Sequence, residues 1–190
     1  MWLNVEQDRR DPLASIGNPQ ALRRLLFWYE TQHAEDRATM GHLFEQQVEN
    51  TVRRFRGQTV PGKLFGLDGD LTLPVTDSVD RLHVDDAKGE YGDGPDSYEL
   101  DLVLVGASPE ERWAIECKHR RGAITRPMIE RFVRSTQGVE RAQGTRFAHL
   151  WIVAPRGIRP DATALADQYG MYRSGRRQLE ALDRLLPEPK

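Results

Sequence analysis

YELDLVLVGASPEERWAIECKH, residues 98–119, is the stretch that decides the fold of this chain. Two runs rich in β-branched and apolar residues, 98–107 and 111–119, are separated by a short segment marked by Gly106 and Pro109. A gap of this length and composition predicts two antiparallel strands joined as a hairpin. We therefore expect the two runs to lie side by side within the sheet.

The second run carries an acid and an amine inside an otherwise apolar segment. Glu116 and Lys118 are two residues apart, and alternate residues of a strand point to the same face. The same alternation directs Ile115, Cys117 and Trp113 toward the core. The sequence therefore predicts one strand whose second face presents a carboxylate beside an ammonium group.

A second carboxylate is expected next to Glu116. On the first strand, strict alternation places one carboxylate and two valines on one face and three leucines on the other: Asp101, Val103 and Val105 against Leu100, Leu102 and Leu104. If the strands pair, Asp101 lies near Glu116, and two such carboxylates repel each other and are costly to bury. A hard cation resolves both problems, so we expect Mg²⁺, with Mn²⁺ as the alternative.

Lys118 would lie beside that cation, where it can contact a bound water or a phosphate oxygen. There it would orient or deprotonate the attacking water, or stabilise charge that develops on phosphorus. Arginines close by in sequence would supply contacts to the phosphates of DNA: Arg120, Arg121, Arg126, Arg131 and Arg134. Carboxylates, amine and arginines together predict metal-assisted hydrolysis of a phosphodiester.

The charge pattern is strongly asymmetric although the formal net charge is only −2. Residues 68–101 contain eleven Asp or Glu and two Lys or Arg, whereas residues 112–146 contain nine Lys or Arg and three acids. A basic segment beside an acidic one suits a phosphate-binding protein with a cation site, and two solvated surfaces of opposite sign are the competing interpretation. No apolar run approaches the length of a transmembrane helix, and the single cysteine favours a reducing cytoplasm.

The remaining segments predict an α/β domain with a mixed sheet flanked by helices. Helical patterns occupy residues 19–33, 39–56, 124–143, 159–170 and 174–186, and strand patterns occupy 81–85, 147–154 and 171–172. Residues 58–76 are rich in Pro and Gly, which allows only short edge strands or a hairpin.

This pattern resembles the PD-(D/E)XK nucleases, whose core is αβββαβ. Asp101 matches the first motif residue, "ECK" at 116–118 matches the second part, and Glu45 matches an acid on the upstream helix. The tail after residue 150 is similar to the end of Mrr-type restriction endonucleases, so the resemblance covers Thr39 to Leu186. Leu100 replaces the proline of the motif, and residues 57–97 match nothing in the family. The implied division is a helical extension, 1–38, and a nuclease-like domain, 39–190.

The resemblance implies that Asp101, Glu116 and the backbone carbonyl of Cys117 bind Mg²⁺, with Glu45 assisting directly or through water. It implies that Lys118 acts on the nucleophilic water, and Gln137 is similar to a glutamine that some members place near the phosphate. The competing interpretations stay open at this stage. In the first, Glu116 and Lys118 form only a surface ion pair worth under about 1 kcal/mol. In the second, Glu99 takes the place of Asp101. In the third, Glu45 is an ordinary carboxylate of the helix surface.

The function that we expect is Mg²⁺-dependent endonucleolytic cleavage of DNA in restriction or antiphage defence. The alternatives are a structure-specific or exonucleolytic repair nuclease, and a non-catalytic DNA-binding or scaffold subunit with the same fold. The sequence contains no helix-turn-helix, zinc-finger or P-loop motif. Together with the apolar surplus at Phe27 and Trp28, this predicts control by a partner, such as an ATPase, or by a homo-oligomer.

Overall fold

A computed structural model describes residues 24, 37–92, 94–108, 111–119 and 122–187. Its helices are α1 (Arg37–Val52), α2 (Arg126–Gln143), α3 (Pro160–Gln168) and α4 (Arg176–Leu185), with a 3₁₀ helix at Gly62–Phe65. Its strands are β1 (Thr59–Pro61), β2 (Asp70–Thr72), β3 (Thr76–Asp86), β4 (Asp96–Gly106), β5 (Trp113–Cys117), β6 (His149–Val153) and β7 (Tyr172–Ser174). The helix predicted at residues 19–33, with Phe27 and Trp28, lies outside the described residues apart from Arg24.

A five-stranded sheet in the order β3-β4-β5-β6-β7 forms the middle of the domain. The pairs β3–β4 and β4–β5 are antiparallel, and β5–β6 and β6–β7 are parallel. The expected class, α/β with a mixed sheet and flanking helices, is therefore confirmed. The pairing of the two runs that open the sequence is confirmed as well, because Val103 lies opposite Ala114.

Helices cover both faces of the sheet, which explains why β5 is buried along its whole length. Apolar residues of α1, α4 and the 3₁₀ helix pack on one face, where Trp113, Ile115 and Cys117 point. Residues of α2 and α3 pack on the other face, against Ala114 and Ile152. The alternation predicted for β5 is confirmed, and one consequence is that Glu116 is held inside the protein at 8% exposure.

A buried ion pair ties the end of α1 to α4. The guanidinium of Arg54 donates to the carboxylate of Asp183, which also accepts a hydrogen bond of 2.6 Å from the hydroxyl of Thr51. Arg54 and Asp183 are both buried. A buried pair of this kind fixes the relative placement of its two elements, since losing either partner leaves an uncompensated buried charge.

One strand is longer than predicted. The strand expected at 81–85 is β3, eleven residues long, because its exposed face carries charged residues that hide the apolar alternation. Residues 58–76 contain the small β1–β2 hairpin, as expected. Helix α2 begins after Thr125 with proline in its first turn, as predicted, and Gly144 ends it at a left-handed φ of 61°.

Among the described residues, no helix has the length and apolar character needed to cross a membrane.

One prediction about β4 was wrong, and its physical cause is a β-bulge. Asp80 lies opposite Val103, but Leu82 lies opposite Leu100, so three residues of β4 advance against two of β3. The extra residue breaks strict alternation. Leu100 consequently packs with Val103 on the α2 face, while Leu102 packs on the α1 face. The interrupted stretch contains Asp101.

Candidate active site

The bulge brings the carboxylate of Asp101 to the end of β5. In the last register pair between the two strands, Leu102 lies opposite Ile115, so Asp101 reaches the level of Glu116. The carboxylate Oδ2 of Asp101 accepts a hydrogen bond of 2.7 Å from the backbone N–H of Cys117. A side-chain acceptor thus takes a backbone donor of β5 at the point where the ladder ends. Bulges are common beside active sites because they re-aim one side chain in this way.

Lys118 bridges both carboxylates. Its Nζ lies 2.7 Å from Oε1 of Glu116 and 3.3 Å from Oδ2 of Asp101. The two carboxylate side chains are only 10% and 14% exposed, whereas the amine is 31% exposed. The backbone N–H of Lys118 donates to the carbonyl of Val153 at 2.9 Å, which anchors this residue to β6. The predicted convergence of Asp101, Glu116 and Lys118 is what the structure contains.

Burial and neighbouring charges shift the pKa values of Glu116 and Lys118. Burial, and then the charge of Asp101, raise the pKa of Glu116 to about 7 from its ordinary 4.5, against the opposing effect of Lys118. Burial alone would lower the pKa of Lys118, but the Glu116 and Asp101 carboxylates outweigh it and raise that pKa. Lys118 is therefore a persistent cation, and Glu116 is a carboxylate that binds or releases a proton near neutral pH.

Glu45 on α1 approaches the same site. Burial, followed by the charge of Asp101, raises the pKa of Glu45. Its Oε2 forms an ion pair of 2.9 Å with Nη2 of Arg81 on β3, and His42 Nδ1 lies 4.0 Å away. The sequence analysis missed Arg81 as a member of this group. Only the β3–β4 register reveals it, because Arg81 stands opposite the bulge.

The predicted DNA-binding residues of α2 lie on the exposed face of that helix. Arg126, Arg131, Arg134 and Gln137 are exposed on the helix. Arg126 pairs with Glu130 at 2.9 Å, and Arg134 lies 4.0 Å from Asp96 on β4. Arg120 and Arg121 lie outside the described residues. Within the described ranges, the ion pairs of these α2 arginines are with Glu130 and Asp96, whereas those of Lys118 are with Glu116 and Asp101.

The structure also shows the surroundings of Glu99, the alternative to Asp101, and of the Cys117 thiol. Glu99 is exposed and stands opposite His83 on β3, so it does not replace Asp101. Cys117 is a buried free thiol packed in the α1-side core, and burial, the largest cause, raises its pKa well above the ordinary value. A nucleophilic thiolate needs the opposite shift, so the sulfur of Cys117 is not activated as a nucleophile.

The oxygen donors at the site are of the kind that a hard divalent cation prefers. Asp101 and Glu116 supply carboxylate oxygens, and burial followed by the charge of Asp101 raises the pKa of Glu116. The N–H and C=O of one strand residue point toward the same neighbour, so the carbonyl of Cys117 is directed to the side where its N–H meets Asp101. Within residues 37–92, 94–108, 111–119 and 122–187, no three His, Cys, Asp or Glu side chains form a metal-binding group. Water would complete the coordination, as is usual for Mg²⁺.

Comparisons with known proteins bear on the fold alone. No protein-family model matches the chain, and no curated protein matches it. The structure is similar to the crystal structure of protein VC1899 from Vibrio cholerae, with a TM-score of 0.50 and 15% identity over 97% of this chain and 44% of that one. A crystal structure of AF1548, described as a protein of unknown function, matches with a TM-score of 0.41 and 20% identity over 54% and 55% of the two chains. The chain thus spans less than half the length of VC1899.

Proposed function

We propose that this protein is a Mg²⁺-dependent DNA endonuclease of the PD-(D/E)XK type. The observation that carries this proposal is the convergence of Asp101, Glu116 and Lys118 at one end of β5, with the ammonium within 3.3 Å of both carboxylates. The element order α1, β3, β4, β5, α2, β6 agrees with an αβββαβ core. The fit of the motif to this order supports the family assignment.

Each residue has a defined task in the proposed reaction. Asp101, Glu116 and the carbonyl of Cys117 would hold Mg²⁺, or Mn²⁺ in its place, and the bound cation supplies Lewis-acid stabilisation of charge on the phosphoryl oxygens. Lys118 carries a persistent positive charge and would orient the attacking water or stabilise the developing charge. Glu45 would position a water from the α1 side, where Arg81 holds its carboxylate in place.

Burial distinguishes this arrangement from a surface ion pair. An exposed pair contributes under about 1 kcal/mol and shifts pKa values little. Here two carboxylates are brought together inside the protein, and the raised pKa of Glu116 shows that the ionised state is unfavourable. Groups that oppose folding in this way are concentrated at functional sites. This argues against a scaffold subunit, the alternative from another class.

The biological setting that we propose is restriction or antiphage defence inside the cytoplasm, with a repair nuclease as the second candidate. Control would come from an ATPase or other regulatory partner, or from self-association. The reason is that the sequence contains no separate DNA-reading motif to select a cleavage site. This part of the proposal would be contradicted if the protein elutes as a monomer in size-exclusion chromatography and that monomer alone cleaves DNA at a specific sequence.

Removing the metal should abolish cleavage. With supercoiled plasmid as substrate, we expect nicked and linear products in millimolar Mg²⁺ and no products in excess EDTA, because two buried carboxylates cannot activate a phosphate without a cation. Adding Mg²⁺ beyond the EDTA should restore cleavage, which excludes irreversible damage by the chelator. Products that form equally in EDTA would contradict the metal site.

Replacing Glu45 by glutamine should reduce cleavage by about tenfold without abolishing it. The glutamine keeps the shape of the side chain but loses the charge that pairs with Arg81, and a group that acts through water contributes less than a direct ligand. Glu49→Gln, on the same helix and paired with Arg53 at 2.7 Å, is the matched control. Plasmid cleavage rates at saturating Mg²⁺ measure the effect, and equal rates for both variants would remove Glu45 from the site.

A further inference from the structure

A cleft lined by arginines lies near the candidate active site. A cleft of about 640 Å³ opens where β6 and β7 end, between the starts of α3 and α4. Four of the residues that line it are arginines, and none is acidic: Arg156, Arg173, Arg176 and Arg177. We call this the arginine cleft. Nothing in the sequence motif or the family resemblance assigns it a role.

The charge of the arginine cleft is only partly balanced. Arg173 forms an ion pair of 2.5 Å with Asp167, which does not line the cleft. Arg156 and Arg177 are exposed, and within the described part of the chain neither forms an ion pair. The cleft therefore retains an excess of positive charge, which favours an anionic ligand.

The backbone around the cleft also suits an anion. Helix α4 begins at Arg176 after Gly175, and the N–H groups of its first turn have no acceptor within the helix. The partial positive charge of a helix N-terminus adds to that of the guanidinium groups. Planar guanidinium groups bind phosphate oxygens in pairs, so phosphate is the anion that this combination fits best.

Hydrogen bonds between parallel strands link the cleft to the candidate active site. The N–H of Lys118 donates to Val153 at the end of β6, and the N–H of Ala154 donates to the carbonyl of Ser174 at the end of β7, each at 2.9 Å. Neighbouring strands lie about 4.8 Å apart, so two steps span about 10 Å. Phosphates of one strand of a DNA duplex advance by about 3.4 Å along the axis, so this distance corresponds to about three nucleotides.

Building on the phosphodiesterase function proposed above, we propose that the arginine cleft binds the backbone phosphates of the DNA strand that is cleaved at Lys118. A strand is favoured over a free nucleotide because the described residues that line the cleft include no aromatic side chain on which a base would stack. Contacts to phosphates carry no sequence information, so this site holds and aligns the strand without selecting its sequence.

The test is DNA binding measured without cleavage, by fluorescence anisotropy of a labelled duplex in EDTA. The cleft variant is Arg156→Gln with Arg177→Gln. The control, Lys88→Gln with Arg184→Gln, loses the same charge at exposed residues whose pairs, at 3.8 and 3.9 Å, lie outside the cleft. We expect the cleft variant to bind at least tenfold more weakly and to lower the slope of log K against log salt by about 2, since each phosphate contact contributes about 0.9. We expect less than a threefold change for the control.

Equal weakening of both variants would overturn the proposal, because it would reflect net charge alone. An unchanged duplex affinity of the cleft variant would overturn it as well, and if adenosine monophosphate then stabilised the wild type but not the variant, the cleft would be a small-ligand site. The measurement is independent of the proposed reaction, because it requires no hydrolysis. If the wild type shows no metal-dependent cleavage, the proposed nuclease function is wrong. If the cleft variant cleaves and binds DNA like the wild type, only the proposed role of the arginine cleft is wrong.

Discussion

Replacing Lys118 by alanine should lower the rate of DNA cleavage by roughly a thousandfold. A positioned group that orients water or stabilises charge in the transition state contributes about 10²–10⁴ in rate. Lys118 is placed for either task, because its Nζ lies 2.7 Å from Glu116 and 3.3 Å from Asp101. Asp101→Ala should have an effect of similar size, since it removes a predicted metal ligand. Initial rates of plasmid nicking at saturating Mg²⁺ measure both.

Two matched controls separate chemistry from charge and from folding. Lys88→Ala removes an exposed lysine, and Asp80→Ala removes an exposed aspartate of β3 next to the bulge. Both should cleave within about twofold of the wild type. Circular dichroism and duplex binding in EDTA show whether Lys118→Ala remains folded and still binds DNA. Cleavage at the normal rate by folded Lys118→Ala would remove this residue from the mechanism.

Local alternation was enough to predict most of the site from the sequence. The period of two placed Glu116 and Lys118 on one face and Ile115 on the other, and the short connection predicted that β4 and β5 pair. These are interactions between near neighbours in the chain. Their outcome depends little on what packs around them, which is why the structure agrees.

The features that the sequence analysis missed depend on register between distant segments. The bulge at Asp101 exists only relative to β3, so strict alternation assigned Leu100 to the wrong face. Arg81 reaches Glu45 through the same pairing. A signal for the arginine cleft was present in "APRG" (154–157), which directly follows β6, and in "RSGRR" (173–177), which runs from β7 into α4. Carboxyl ends of parallel strands meet at one edge of a sheet, and the expectation of parallel pairing there would have placed these arginines together.

Replacing Glu116 by glutamine should stabilise the metal-free protein at pH 8 while it abolishes cleavage. The folded-state pKa of Glu116, about 7, is raised above its ordinary value of 4.5. The stability associated with the protonated form is therefore fully present below pH 4.5 and is lost as the pH rises through 7. At about 1.4 kcal/mol for each tenfold change in proton affinity, the loss reaches about 3 kcal/mol at pH 8. Glutamine resembles the protonated acid and does not incur this loss.

The measurement is thermal unfolding of both proteins in EDTA at pH 8 and pH 4.5. We expect Glu116→Gln to melt roughly 5–10 °C higher than the wild type at pH 8 and within about 2 °C of it at pH 4.5. Mg²⁺ should raise the melting temperature of the wild type at pH 8 but not that of Glu116→Gln, because only a carboxylate binds the cation tightly. Glu130→Gln, which breaks the exposed pair with Arg126, should change little at either pH. If Glu116 and Lys118 form only an ordinary structural ion pair, Glu116→Gln loses the attraction to Lys118 and melts lower than the wild type at pH 8. That result would contradict the prediction.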